Sequence, residues 1–162
     1  GAGNALASYI SDTSFENQNK CIPNGIEISK SLSMEAASKY QKGQWENNNA
    51  VDGILNFEND QIDIILLSSF LEHEIDPVAL LKNSFLKLKK GGSIIIKVPN
   101  FNSWNRYIRK DKWCGFRHPD HVNYFTKKTL KAVSLISGFK NVSMNFLDSQ
   151  PLSDSMYAVL QK

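Results

Sequence analysis

Cysteine is scarce in this sequence: Cys21 and Cys114 are the only two, and neither belongs to a Cys-x-x-Cys pair. That excludes a disulfide framework as the organising device and makes a reducing, cytoplasmic setting the simplest expectation. Long apolar runs are missing too. The longest, from Ile62 to Leu71, is interrupted by Asp63, Ser68 and Ser69. It is too short to span a bilayer, so no integral membrane association is expected. Charge of one sign is not in excess: 19 Lys and Arg against 16 Asp and Glu leave +3. So mild a balance, without a concentrated basic face, argues against a nucleic-acid partner. There are no internal repeats, no secretory leader is visible, and the sequence opens on Gly1-Ala2-Gly3 without an initiator methionine. A glycine turn makes mechanical sense when a strand runs into it. None precedes this one, and we expect the native product to begin earlier.

What is present is an alternation of strand and helix signals over 162 residues, a length that suits one domain with a sizeable core. Residues 5–10 read as a short helix, Ile22 to Ile28 as a strand and Ser31 to Gln41 as a helix. Glu46 to Asn49 reads as a polar loop, and Ala50-Val51 as a weak strand. Ile62 to Leu67 is a strong strand, β-branched and nearly continuous, as expected for burial on both faces. Asp76 and Pro77 open a helix whose stripe is Val78, Leu81, Phe85 and Leu88, with Lys87, Lys89 and Lys90 near its end. Gly91-Gly92 closes it, and Ser93 to Val98 is a buried strand stopped by Pro99.

Residues 101–125 break the rhythm with Trp104, Tyr107, Trp113, Phe116, Tyr124 and Phe125 among Arg106, Arg109, Lys110 and Lys112. This reads as an insertion, with Trp104, Trp113 and Phe116 covering the active site. Thr126 then caps a helix through Leu130, Val133 and Ile136 that ends at Gly138. Strands near Asn141 to Phe146 and Met156 to Leu160, separated by Asp148 to Pro151, suggest an antiparallel hairpin.

Two features point to a nucleotide-like ligand. Glycines at a strand-to-helix turn, as in Gly1-Ala2-Gly3, let backbone approach a ligand closely, and the helix N-terminus offers free N–H groups. A structural turn explains Gly-x-Gly equally well, and Leu6 fits the nicotinamide-cofactor fingerprint poorly. Glu27, ending the next strand, is placed to accept both hydroxyls of a ribose. Its spacing from Gly3, about one βα unit plus a strand, favours that role over an ordinary exposed glutamate.

The order of these residues resembles one family. It runs Gly1-x-Gly3, Gly25-Ile26-Glu27-Ile28-Ser29, Asp52-Gly53, Ile62-Asp63-Ile64-Ile65, Leu71-Glu72-His73, Asp76-Pro77, Leu88-Lys89-Lys90-Gly91-Gly92 and Val98-Pro99-Asn100. His118-Pro119-Asp120-His121-Val122-Asn123-Tyr124-Phe125-Thr126, Leu130 and Ser137-Gly138-Phe139 follow. The chain thus resembles class I S-adenosylmethionine-dependent methyltransferases of the ubiquinone-biosynthesis-like, type 11 and type 23 groups.

The resemblance implies an α/β, Rossmann-like seven-strand sheet, mostly parallel with a C-terminal antiparallel hairpin and with its first strand missing here. It implies one methyltransferase domain over residues 1–162, with S-adenosyl-L-methionine as cofactor and a small-molecule acceptor as partner. Gly1, Ala2 and Gly3 would pass under the methionine part of the cofactor. Glu27 would hold the ribose hydroxyls, Ile28 would lie against the adenine and Asp52 would face its amino group. Ser68 and Ser69 would line the cofactor and acceptor cleft, with Glu72 and His73 near its mouth. Ala5 stands where such families usually place a third glycine.

The chain's three histidines are His73, His118 and His121. A neutral histidine suits deprotonation of a hydroxyl acceptor near pH 7, and His121 leads as general base ahead of His73 and His118. The other reading is that His118 and His121 fix the loop through hydrogen bonds to backbone. Cys114, His118 and His121 lack a convincing fourth ligand for zinc, so no metal is assigned. Ser68-Ser69-Phe70-Leu71 lacks the Asn/Asp-Pro-Pro-Tyr/Phe signature of base-modifying enzymes, which argues against DNA. Oxygen methylation of a small molecule is the expected activity. A non-catalytic methyltransferase-fold binding module is the alternative, and a nicotinamide-dependent oxidoreductase is disfavoured by Leu6 and by Glu72 to Pro77.

Overall fold

The computed structural model describes residues 21–145 and 150–162. The glycine turn at Gly1, Ala2 and Gly3 and the helix expected over residues 5–10 lie outside the described residues, as does part of the turn expected before Pro151. The chain comprises two compact units, Gly1–Phe57 and Glu58–Lys162.

In the first unit, β1 (Gly25–Ile26) pairs in parallel with β2 (Trp45–Glu46), and α1 (Lys30–Lys39) connects them. The strand expected over Ile22 to Ile28 is thus paired only at Gly25 and Ile26, because its partner offers two residues. Trp45 explains the glycine: any side chain at position 25 would collide with the indole, which also stacks on Tyr40 at 5.8 Å. Ala50-Val51 is not a strand. It opens α2 (Ala50–Gly53), since the Asn49 side chain accepts from the Asp52 amide at 2.9 Å and so supplies an N-cap.

The second unit is a four-stranded sheet in the order β3-β4-β6-β5. Its members are β3 (Ile62–Ser68), β4 (Leu88–Pro99), β5 (Asn141–Ser143) and β6 (Ser155–Gln161). β3 and β4 are parallel, β4 and β6 antiparallel, and β5 closes antiparallel on β6 as the hairpin expectation required. Helix α3 (Pro77–Lys87) crosses from β3 to β4, its Asp76 cap accepting from the Ala79 amide at 2.9 Å.

Alternation with period two places Ile94, Ile96 and Val98 of β4, and Met156, Ala158 and Leu160 of β6, in one core layer. Leu80 and Leu81 of α3, Leu130 of α5 (Lys127–Ile136) and Phe139 are buried with them. Phe139 meets Phe85 edge to face at 5.1 Å.

Several boundaries differ from the sequence reading. Lys89 and Lys90 belong to β4 rather than to the end of the helix, which stops at Lys87. Between Ile62↔Leu88 and Ile64↔Ser93 the ladder slips, so residues 89–92 bulge outward and absorb the turn that the two glycines signalled. β3 is not buried on both faces: the consecutive Asp63 and Ile64, which point to opposite faces, are both exposed, and among the described residues β3 ends this sheet. Ile136, counted in the α5 stripe, is exposed as well.

Gly91 sits in the bulge at φ +82°, while a Cβ on Gly92 would stand 3.0 Å from the Asp63 and Lys89 carbonyl oxygens and 3.1 Å from that of Ile62. These neighbours are backbone and cannot swing aside. Gly92→Ala is therefore expected to cost about 1–3 kcal/mol as overpacking. Urea unfolding checks this, and an unchanged midpoint would show that the bulge gives way freely.

Candidate active site

In the first unit, Glu27 follows the C-terminal end of β1, where its amide donates to the Glu46 carbonyl at 2.9 Å. Its Oε1 accepts from the Ser29 amide at 3.0 Å, and Ser29 in turn caps α1. Asn47, just beyond β2, donates through Nδ2 to the carbonyls of Glu27 and Ile28 at 3.0 and 2.9 Å. Strand pairing, helix cap and amide clamp together hold the Glu27 backbone. Ile28 is 75% exposed, an apolar side chain offered to solvent beside a carboxylate. Asp52 lies in the first turn of α2, and its Oδ2 accepts from Asn49 Nδ2 at 2.7 Å. The position ending the strand belongs to Asn47 and Asn48. The Asn-rich run had signalled only a loop; its capping and clamping roles became visible once β2 was placed at Trp45–Glu46.

In the second unit, Ser68 ends β3 and Ser69 turns the chain at φ +51°, its amide still reaching the Lys97 carbonyl of β4 at 2.9 Å. The next turn buries Leu71 and Glu72. The inserted segment clips onto it: the amides of Val122 and Asn123 donate to the Glu72 carbonyl at 2.9 and 3.0 Å. Asn123 Nδ2 adds bonds to the carbonyls of Leu71 and Glu74 at 3.2 and 2.6 Å. In the sequence Asn123 stands only within a motif, and its function as a clamp depends on contacts across the fold.

This clip unites two of the three histidines. His73 Nδ1 meets the Asp120 carbonyl at 2.8 Å, and His121 Nδ1 meets the Gly115 carbonyl at 2.8 Å. Their rings stand edge to face, 4.6 Å between centroids. A carbonyl accepts only, so each Nδ1 carries a hydrogen, and Nε2 is the nitrogen left to accept in the neutral ring. His121 thus holds the loop through the Gly115 carbonyl, as one of its two expected roles required. Glu72 is 1% exposed, and its Oε2 has no hydrogen-bond partner. Burial pushes its carboxyl above the ordinary range, against the opposing pull of a backbone hydrogen bond and of His73, His121 and Lys97.

His118 is elsewhere. It is exposed and precedes a cis bond to Pro119, and it does not join this group. Cys114 also lies apart, hydrogen-bonded to Asp154; burial raises its thiol pKa, and the neighbouring carboxylate raises it further. Trp113 is 1% exposed, whereas Trp104 of α4 (Trp104–Arg109) faces solvent rather than packing down as a cover.

A sheet with parallel strands, polar loops at their C-terminal ends and an antiparallel closing pair is an arrangement found in Rossmann-like class I methyltransferases, a class whose methyl donor is S-adenosylmethionine. The chain belongs to the methyltransferase domain family of type 23, whose model matches residues 2–144.

Solved structures agree on the fold. An S-adenosylmethionine-dependent methyltransferase from Archaeoglobus fulgidus is similar at 14% identity and a TM-score of 0.60, over 86% of this chain and 85% of that one. The CurJ carbon methyltransferase is similar at 18% identity and a TM-score of 0.70, over 99% of this chain but 46% of its own length. A chain of the complex between the Haloferax volcanii Trm112 methyltransferase activator and a methyltransferase is similar at 13% identity and a TM-score of 0.70, over 99% and 78%. No curated protein matches the chain in sequence. Among the described residues, no helix is long and apolar enough to cross a membrane.

Proposed function

We propose that this methyltransferase acts on an oxygen nucleophile of a small molecule, in a cytoplasmic setting and with no nucleic-acid partner, with residues 1–162 as one methyltransferase domain. The observation that carries the cofactor assignment is Glu27: a carboxylate at the end of a parallel strand, held by the Ser29 amide and flanked by exposed Ile28. The donor set fits the group. Ribose hydroxyls donate and a carboxylate accepts, while an exposed aliphatic side chain suits the face of an adenine. Asp52, ordered by Asn49, offers an acceptor for the adenine amino group. Ser68 and Ser69 offer hydroxyls at the end of β3, and Gly1, Ala2 and Gly3 are assigned to the methionine part.

S-adenosylmethionine, when bound, supplies an electrophilic methyl on sulfur. The chain's own part is to bind, orient and accept a proton. His121 and His73, each with a lone pair at Nε2, are the proton acceptors for an acceptor hydroxyl; His118 is assigned a lesser role in the same loop. Phe116 and Tyr124 stay partly exposed beside buried Trp113 and offer apolar surface to an acceptor.

Calorimetric titration with S-adenosylhomocysteine tests this reading. Hydrogen bonds to a charged group contribute about 1.5–3 kcal/mol, so Glu27→Ala is expected to weaken binding by on the order of 10–100-fold. A folded chain that binds no S-adenosylhomocysteine would leave the non-catalytic binding module as the better description.

A further inference from the structure

We propose that Glu72, His73 and His121 form a binding site for a borderline first-row divalent cation of the zinc type. One potential ligand atom from each residue lies within 4.8 Å of the other two. Two imidazoles and one carboxylate are a donor set that zinc and its neighbours accept, and three protein ligands leave room for water or a substrate oxygen.

Proximity alone would be weak ground. Two further observations point to a ligand. The first is the locked tautomer of both rings. Each Nδ1–H is spent on a backbone carbonyl at 2.8 Å, which orients the ring and frees Nε2. Metal-binding histidines are commonly held this way, with the second nitrogen fixed by a carbonyl or carboxylate. The second is Glu72 Oε2, buried within a residue 1% exposed and without a hydrogen-bond partner. A buried acceptor left unpaired is costly, and the backbone hydrogen bond to the Glu72 carboxyl leaves Oε2 without a donor. A cation removes the cost by supplying the missing partner.

The scaffold is also built to hold three ligands in place. Glu72 and His73 are consecutive, and their turn is tied to the insertion at the Glu72 carbonyl and through Asn123. His121 sits on the clipped strip itself, with its amide bonded to the Arg117 carbonyl at 2.8 Å. For metal–ligand bonds of about 2.0–2.1 Å at tetrahedral angles, donor atoms stand roughly 3.3 Å apart.

This inference does not depend on cofactor binding; while the cation is bound the Nε2 lone pairs of His73 and His121 are spent on it, so their proton-accepting role belongs to the metal-free form. Zn2+ is titrated calorimetrically into the chelator-treated chain, and Co2+ is followed by its visible absorption. The expected result is one ion per chain and cobalt bands in the visible. His73→Ala is exposed and should fold normally; circular dichroism checks it together with Glu72→Gln and His121→Ala. Each is expected to weaken Zn2+ more than tenfold, the smaller end of what loss of even an outer-shell partner does. Cys114→Ser, outside the cluster, is expected to leave Zn2+ affinity unchanged. Absence of stoichiometric Zn2+ binding by the folded chain overturns the site, as does Zn2+ binding that is indifferent to both His73→Ala and Glu72→Gln. S-adenosylhomocysteine titration of the same preparations separates failure of the metal site from failure of the methyl-transfer reading.

Discussion

Trp113→Ala is expected to lower the free energy of unfolding by about 3–5 kcal/mol, the usual result of truncating a buried large aromatic. That is a large share of the roughly 5–15 kcal/mol that holds a typical domain folded. Trp113 is 1% exposed and meets Phe116 edge to face at 5.3 Å and Phe101 at 6.2 Å. Gly115 lies flush against the indole, so closely that any side chain there would collide with it. The Gly115 carbonyl then receives His121 Nδ1–H. Removing the indole therefore opens a cavity and also loosens the shelf on which His121 rests. Chemical denaturation measures the first effect. The second is expected as a shift in the His121 ring resonances by NMR, with those of exposed His118 unmoved. A fall of less than 1 kcal/mol would mean that the neighbouring rings collapse into the space.

Asp154→Ala is the second large effect, about 3 kcal/mol, because it leaves the buried Trp113 Nε1–H without its acceptor and removes charge-assisted hydrogen bonds. The carboxylate accepts from Trp113 Nε1 at 2.8 Å, Ser103 Oγ at 2.9 Å and Asn105 Nδ2 at 3.2 Å. It thus ties the start of the insertion, the helix within it and β6 to one point. Burial opposes ionisation of Asp154, but the bonds from Trp113, Ser103, Asn105 and Cys114 outweigh it and hold the carboxyl below the ordinary range. The sign for stability follows. With the folded value below the unfolded one, the contribution is complete above the unfolded pKa of about 3.9 and is lost as pH falls through the folded value. Wild type is therefore expected to lose stability on acidification below about pH 4 more steeply than Asp154→Ala. Parallel acid profiles would remove Asp154 as the cause. Since Trp113 and Asp154 share a hydrogen bond, the double variant is expected to cost less than the sum of the singles.

The legible parts of the fold were those with short-range causes. Asp76-Pro77 opened α3 and Thr126 opened α5, because a capping side chain needs only the amides of the next turn. Ile62 to Leu67 read as a strand from its β-branched run, and the closing pair was expected as antiparallel. Misreadings arose where pairing overrode local pattern. Ala50-Val51 looked extended by composition, yet Asn49 capped a helix there while Trp45-Glu46 took the partner of β1. Lys89-Lys90-Gly91-Gly92 looked like a helix end, yet parallel register with β3 drew the segment into a bulged strand.

The same division holds at the candidate site. The succession of motifs carried the resemblance to the methyltransferase family, and side-chain chemistry at strand ends or within a recognisable run singled out Glu27 and the three histidines. Tertiary structure decided which histidines meet. His121 is separated from His73 by 48 positions and reaches it only because backbone amides of the insertion bond to the Glu72 carbonyl, while His118, three positions away from His121, faces solvent. Asp154 likewise gave no signal in the sequence; it became a hub because β6 lies antiparallel to β4 and returns it to the base of the insertion. Long-range hydrogen bonds and strand register depend on where distant segments come to rest, and only the folded chain brings their donors and acceptors within reach.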